Sequence, residues 1–238
     1  MLKYMFSLIF VAGLVFAEDK PKSDKSKHHV YLLIGQSNMA GRAKIREQDK
    51  APIKNGFLQD SKHSRVPAKN PLNIYSTIRQ GPAMQRMGPG YYFAKTILEK
   101  QKGITLGLVV NARGGSKIAQ WKKGSKFYKD AMTKVQAAMK TGTLKAIIWH
   151  QGESDKANAD YLAAFKEFAK NLRTDLGNDK LPIIPTSTWL LLLHHHYHHH
   201  QVHYYKLYSS SSSNNSSNNS SNNNRCMLHK GRRQILDA

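Results

Sequence analysis

The chain has 238 residues, of which 40% are hydrophobic and 22% charged, enough for one globular domain with a substantial core. Its formal net charge of +22 favours anionic partners, but the charge is dispersed and carries no nucleic-acid module, so a solvated basic surface is expected and no specific nucleic-acid binding. A single cysteine, Cys226, excludes an intramolecular disulfide.

Residues 1–17 read as a cleavable signal peptide. Lys3 supplies a positive start, Phe6 to Phe16 is apolar but short of the ~20 residues of a membrane span, and Val15 and Ala17 are small residues at a cleavage site. The expectation is a secreted or periplasmic protein without a membrane span in the mature chain. Residues 18–28 are polar and Lys-rich and are expected to form a flexible leader.

The folded domain is expected over 29–189. His29 to Ile34 is a short apolar run closed by Gly35, which suits a buried parallel strand. From Gly41 to Gly90 the chain is rich in Pro, Lys, Asn and Gly without a sustained period, and is expected to be a long loop region with short elements. Tyr91 to Lys102 predicts a helix stopped by Gly103. Ile104 to Val110 is a second strand, Phe127 to Lys140 a helix, and Leu144 to Trp149 a third strand. Asn158 to Leu176 is the clearest helix, with Tyr161, Leu162, Phe165, Phe168, Ala169 and Leu172 on one stripe. Leu181 to Ile184 opens a fourth strand. The alternation predicts an α/β fold, a three-layer α/β/α sandwich around a mostly parallel sheet, with its site at the carboxyl ends of the strands.

After this point the pattern breaks. Leu190 to Leu193 are leucines, six histidines fall between His194 and His200, and Ser209 to Asn224 contains only Ser and Asn. Residues 190–238 therefore form a low-complexity tail. A translated frameshift explains it better than a natural tail, because the break falls inside an expected core strand.

Three segments put reactive groups just after strands. Gly35-Gln36-Ser37-Asn38 presents a serine in a tight turn, exposed as a nucleophile. Met39 stands where a Gly-x-Ser-x-Gly elbow would need its second glycine. Asn111-Ala-Arg-Gly114-Gly115-Ser116 offers backbone amides that can approach an oxyanion closely. Trp149-His150-Gln151-Gly152-Glu153-Ser154-Asp155 carries an amide and two carboxylates. Taken singly these have bland readings: Asp155 as the cap of the next helix, His150 as a satisfied core histidine.

Together, Gly-Gln-Ser-Asn-Met-Ala-Gly-Arg, Gly-Pro-Gly with Phe93-Ala94, Gly-Gly-Ser with Trp121, and Trp-His-Gln-Gly-Glu-Ser-Asp resemble the sialate O-acetylesterase-like branch of the SGNH hydrolases, which includes the acetylxylan esterases of carbohydrate esterase family six. Asn171-Leu-Arg-Thr-Asp-Leu-Gly177 before Leu181-Pro-Ile-Ile184 fits as well. The resemblance implies metal-free and cofactor-free hydrolysis of acetyl esters on carbohydrates. It assigns Ser37 as nucleophile, Gln151 as a side-chain oxyanion donor, Gly115 as a backbone donor and Glu153 as an organiser of the site. The family's Asp-x-x-His motif is missing. His229 is the candidate base by order, with Cys226 where the aspartate belongs. An acetylesterase acting on an O-acetylated carbohydrate is the leading reading; a carbohydrate-binding pseudoesterase without its base is the alternative.

Overall fold

The computed structural model describes residues 24–79 and 85–186; the signal-peptide reading, the low-complexity tail and His229 lie outside them. Six strands form one sheet: β1 (His28–Gly35), β2 (Gly56–Gln59), β3 (Arg65–Pro67), β4 (Thr105–Ala112), β5 (Thr143–His150) and β6 (Ile183–Pro185), in the order β3-β2-β4-β1-β5-β6. All neighbours are parallel except the β2–β3 hairpin. β1 is central, and its residues from Val30 to Ile34 are all buried, as a strand covered on both faces requires.

Alternation along β1 supplies both cores. Val30, Leu32 and Ile34 face α3 (Lys126–Met139) and α4 (Tyr161–Asp175), through Val135, Phe168 and Leu172. Tyr31 and Leu33 face the other way, with Tyr91 and Ala94 of α2 (Gly90–Lys100). The result is a three-layer α/β/α arrangement, as the alternating pattern predicts. The α4 stripe buries Tyr161, Phe168, Ala169 and Leu172, and Gly177 follows the helix at φ +65°.

One expectation needs correction. The end of the supposed leader is ordered: Asp24 accepts from Ser26 N, residues Lys25–Lys27 make a 3₁₀ turn, and Thr143 Oγ1 donates to Lys25 O at 2.9 Å. His28 is only 5% exposed and its ring fills the space that side chains at Gly107 and Gly142 would occupy, so the domain starts before His29. The Gly41–Gly90 region carries short elements, as expected, and two of them, β2 and β3, extend the sheet beyond β4. Among the described residues no helix is long and apolar enough to cross a membrane.

Candidate active site

The carboxyl ends of β1, β4 and β5 meet at Gly35. Its φ is +138°, and a Cβ there would stand 2.1 Å from His150 O, so only glycine lets the strands close up. Gln36 N donates to His150 O at 2.8 Å, and Arg113 N donates to Gly35 O at 3.0 Å. The three polar turns of the sequence are thereby stitched together, residues 36–42, 113–116 and 151–155.

Ser37 opens α1 (Ser37–Ala40), directly after β1, and is half-buried. A Cβ on Gly114 would lie 3.6 Å from Ser37 Cβ and 2.6 Å from Arg42 Nη2, whereas nothing stands within 4 Å of one on Gly115. The first glycine of the pair thus leaves room for Arg42 beside the serine, and the second, at φ +72°, is open.

Gln151 is fully buried. Its Nε2 donates to Asp155 Oδ2 and to Ser116 O at 2.9 Å, with a longer contact to Gln36 Oε1 at 3.4 Å. An amide has two such hydrogens, and here two good acceptors take them. Its Oε1 has no partner. Asp155 does not cap α4, whose preceding residue is Asp160. Its Oδ2 also accepts from Ile118 N at 2.9 Å, and its Oδ1 from Asn158 Nδ2 at 3.3 Å. Asp155 and Gln151 thus tie the turn after β4 to the turn after β5. Tyr161 OH donates to Gln151 O at 2.9 Å, and burial raises the phenol's pKa.

Beneath the turns lies an aromatic floor. Trp121 and Trp149 meet edge to face at 5.3 Å, and Phe168 lies 4.7 Å from Trp149. Trp121 Nε1 donates to Ser116 Oγ, and Trp149 Nε1 to Tyr161 OH, each at 3.2 Å. Buried indole and phenol groups thus serve as anchors for the turns.

Glu153 gathers a second network. Its Oε1 accepts from Asn38 Nδ2 at 2.8 Å and contacts His150 Nε2 at 3.1 Å, while His150 Nδ1 contacts Thr186 Oγ1 at 2.8 Å. Glu153 therefore links Asn38, the residue after Ser37, to the ends of β5 and β6. Both nitrogens of His150 are engaged, so this ring is not offered to Ser37. His28 and His29 open β1, roughly 25 Å from its far end at ~3.3 Å per residue, and His63 lines the same hollow as His28. Among the described residues no histidine is offered to Ser37 as a base.

A family model described as "Carbohydrate esterase, sialic acid-specific acetylesterase" matches residues 27–221. The chain belongs to this carbohydrate esterase family. A probable carbohydrate esterase of Arabidopsis thaliana, At4g34215, is 34% identical over 191 residues, 70% of this chain and 72% of the relative. The solved structure of an Arabidopsis thaliana protein, AT4G34215, superposes with a TM-score of 0.60 at 30% identity, over 66% of this chain and 72% of that one. The crystal structure of NanS superposes at 0.56 with 16% identity, over 71% and 69%, and supports the fold alone. The acetylesterase branch read from the four motifs is thus the family found, and its fold is the SGNH-like α/β/α sandwich.

The sequence points to Ser37, Glu153, Gln151 and the Gly114–Gly115 pair, but not to Asn38 and Thr186 as partners in the Glu153 network. Asp155 carried a usable signal, because an acid four residues after Gln151 is within reach of its amide once a turn intervenes.

Proposed function

We propose that the chain removes acetyl groups from O-acetylated carbohydrates, of the sialate or xylan type, by two-step acyl transfer. Ser37 attacks the acetyl carbonyl and loses its proton to a base; the sugar hydroxyl leaves, and water then releases acetate from the acyl-serine. The backbone amides of Ser37 and Gly115 serve the oxyanion. Gln151 supports them by fixing Ser116 and Asp155, in place of the direct donation its motif implies. The observation that carries this reading is the placing of Gly114 beside Ser37, close enough that an added Cβ would lie 3.6 Å from the serine's Cβ, at the joined carboxyl ends of β1 and β4. His229 is the proposed base, and residues 1–17 the proposed export signal, which N-terminal sequencing of the secreted protein checks.

The engagement of both His150 nitrogens favours a second reading, binding without turnover, should no base arrive from beyond Thr186. Acetate release from acetylxylan and from O-acetyl sialate by the full chain decides between them. Turnover that disappears in Ser37→Ala and in His229→Ala supports the esterase. Turnover that survives Ser37→Ala would falsify the assignment of the nucleophile, and retained glycan binding without acetate release supports the second reading.

A further inference from the structure

The register of β2 with β4 ends at Leu58 and Leu108, while β4 runs on to Ala112. Among the described residues no strand pairs with the carboxyl end of β4 on that side. Buried backbone N–H and C=O groups need partners, and Ala112 is fully buried. Asn73, from the 3₁₀ turn Leu72–Tyr75, supplies both. Ala112 N donates to Asn73 Oδ1 at 2.9 Å, and Asn73 Nδ2 donates to Ala112 O at 3.0 Å. The side-chain amide thus stands in for the peptide group of a neighbouring strand, since each offers a donor beside an acceptor.

The same segment holds the preceding residue by its side chain. Asn111 Oδ1 accepts from Ser76 Oγ and from Thr77 N, each at 2.9 Å, and its Nδ2 donates to Thr77 Oγ1 at 3.1 Å. Thr77 Oγ1 donates onward to Asp130 Oδ2 at 2.8 Å, and Lys134 Nζ donates to Tyr75 O at 3.1 Å, so α3 grips the segment as well. Asn73, Ser76 and Asn111 are all buried, and a buried polar network whose members are paired is rigid. Arg113 is all that separates this clamp from Gly114 and Gly115. Beyond the glycines, Gln151 and Trp121 hold Ser116. The turn that carries the Gly115 amide is therefore fixed at both ends.

We propose that Asn73 and Asn111, braced by Ser76 and Thr77, are positioning residues for the acyl transfer: they set where the chain leaves β4 and so aim the Gly115 amide at the oxyanion. The assignment rests on the esterase reading for what that amide serves. Oxyanion donors act over only about 2.7–3.1 Å, and a misplacement of about 1 Å can cost ~100-fold in rate.

Asn73→Ala removes the backbone clamp. Thr77→Val removes one hydroxyl at nearly constant shape, and Thr77→Ser returns it; this pair carries the test should Asn73→Ala fail to fold. Turnover of nitrophenyl acetate, an acetyl ester without a sugar, is measured on the full chain together with amide hydrogen exchange by NMR. In Asn73→Ala kcat should fall about 10- to 100-fold and in Thr77→Val about 3- to 10-fold, with KM within about twofold and Thr77→Ser close to the unaltered chain. Arg113 N donates to Gly35 O and Ser116 N to Arg113 O. Exchange at these two amides should quicken about tenfold in Thr77→Val, with that of Leu32 in β1 unchanged. Exchange that quickens equally at Leu32 marks a merely structural role and overturns the proposal. Unchanged exchange at Arg113 and Ser116 overturns it too, as does an unchanged kcat in Thr77→Val. An unaltered chain that releases no acetate removes the esterase reading, and the exchange of Arg113 and Ser116 then decides alone whether the clamp holds the turn.

Discussion

Gln151→Ala separates two roles that its motif alone confounds. If the amide only donated to a developing oxyanion, truncation would cost about 100- to 1,000-fold in kcat and leave the fold unaffected. In the structure its hydrogens are committed to Asp155 and Ser116. Losing a bond to a buried carboxylate costs about 1.5–3 kcal/mol. The space left by four buried side-chain atoms adds about 1–2 kcal/mol. Removing the unpartnered Oε1 returns about 1 kcal/mol. The net loss is about 1.5–4 kcal/mol, which lowers Tm by about 3–15 °C in a domain of this size. Thermal denaturation and acetate release, measured on the same preparation, test this. Asp155→Ala should lower Tm similarly, and the double variant should lose less than the sum, because the pair shares one interaction. An unchanged Tm in Gln151→Ala, together with a 100-fold loss in kcat or more, would refute the bracing role and return Gln151 to the oxyanion.

Gly35→Ala should abolish both activity and cooperative folding, because its methyl would meet His150 O at 2.1 Å on a backbone at φ +138°; a circular-dichroism melt like that of the unaltered chain contradicts this. Glu153→Ala releases Asn38 and His150 together, and kcat should fall about 10- to 100-fold through misplacement of Ser37, with KM little changed; a change in KM alone contradicts it. His28 has its pKa lowered to about 4 by burial, then by Arg65 and His29. The unfolded chain binds the proton first as pH falls, so the contribution is complete above about pH 6.5 and disappears toward pH 4. It amounts to about 3 kcal/mol. Urea midpoints across that range should fall less steeply in His28→Gln than in the unaltered chain.

What the sequence discloses follows the distance over which each signal acts. Val30 to Ile34 and the α4 stripe are continuous apolar patterns, so local reading finds them and gives the sheet its order of alternation. β2 and β3 hold four and three residues, too short for any period; they are strands because β4 and each other supply hydrogen-bond partners. Lys25 to Lys27 look unstructured by composition, and become ordered through Asp24 and Thr143. The same rule governs the site. Ser37 is legible from its place after a buried run, while the engagement of Gln151 depends on a carboxylate whose position is set by a turn and by Ile118, more than 30 residues earlier.

The two networks at the site divide its labour. Gln151 and Asp155 join the turns after β4 and β5 from below, where no water competes and each bond is strong. Glu153 joins α1 to β5 and β6 from above, at a half-exposed rim where its bonds can yield. Ser37 therefore sits between a buried network and a half-exposed one. Thr186 anchors that edge, because its hydroxyl contacts His150 Nδ1 at 2.8 Å directly after β6. A defect there would reach Ser37 through His150, Glu153 and Asn38 in turn, without touching the substrate.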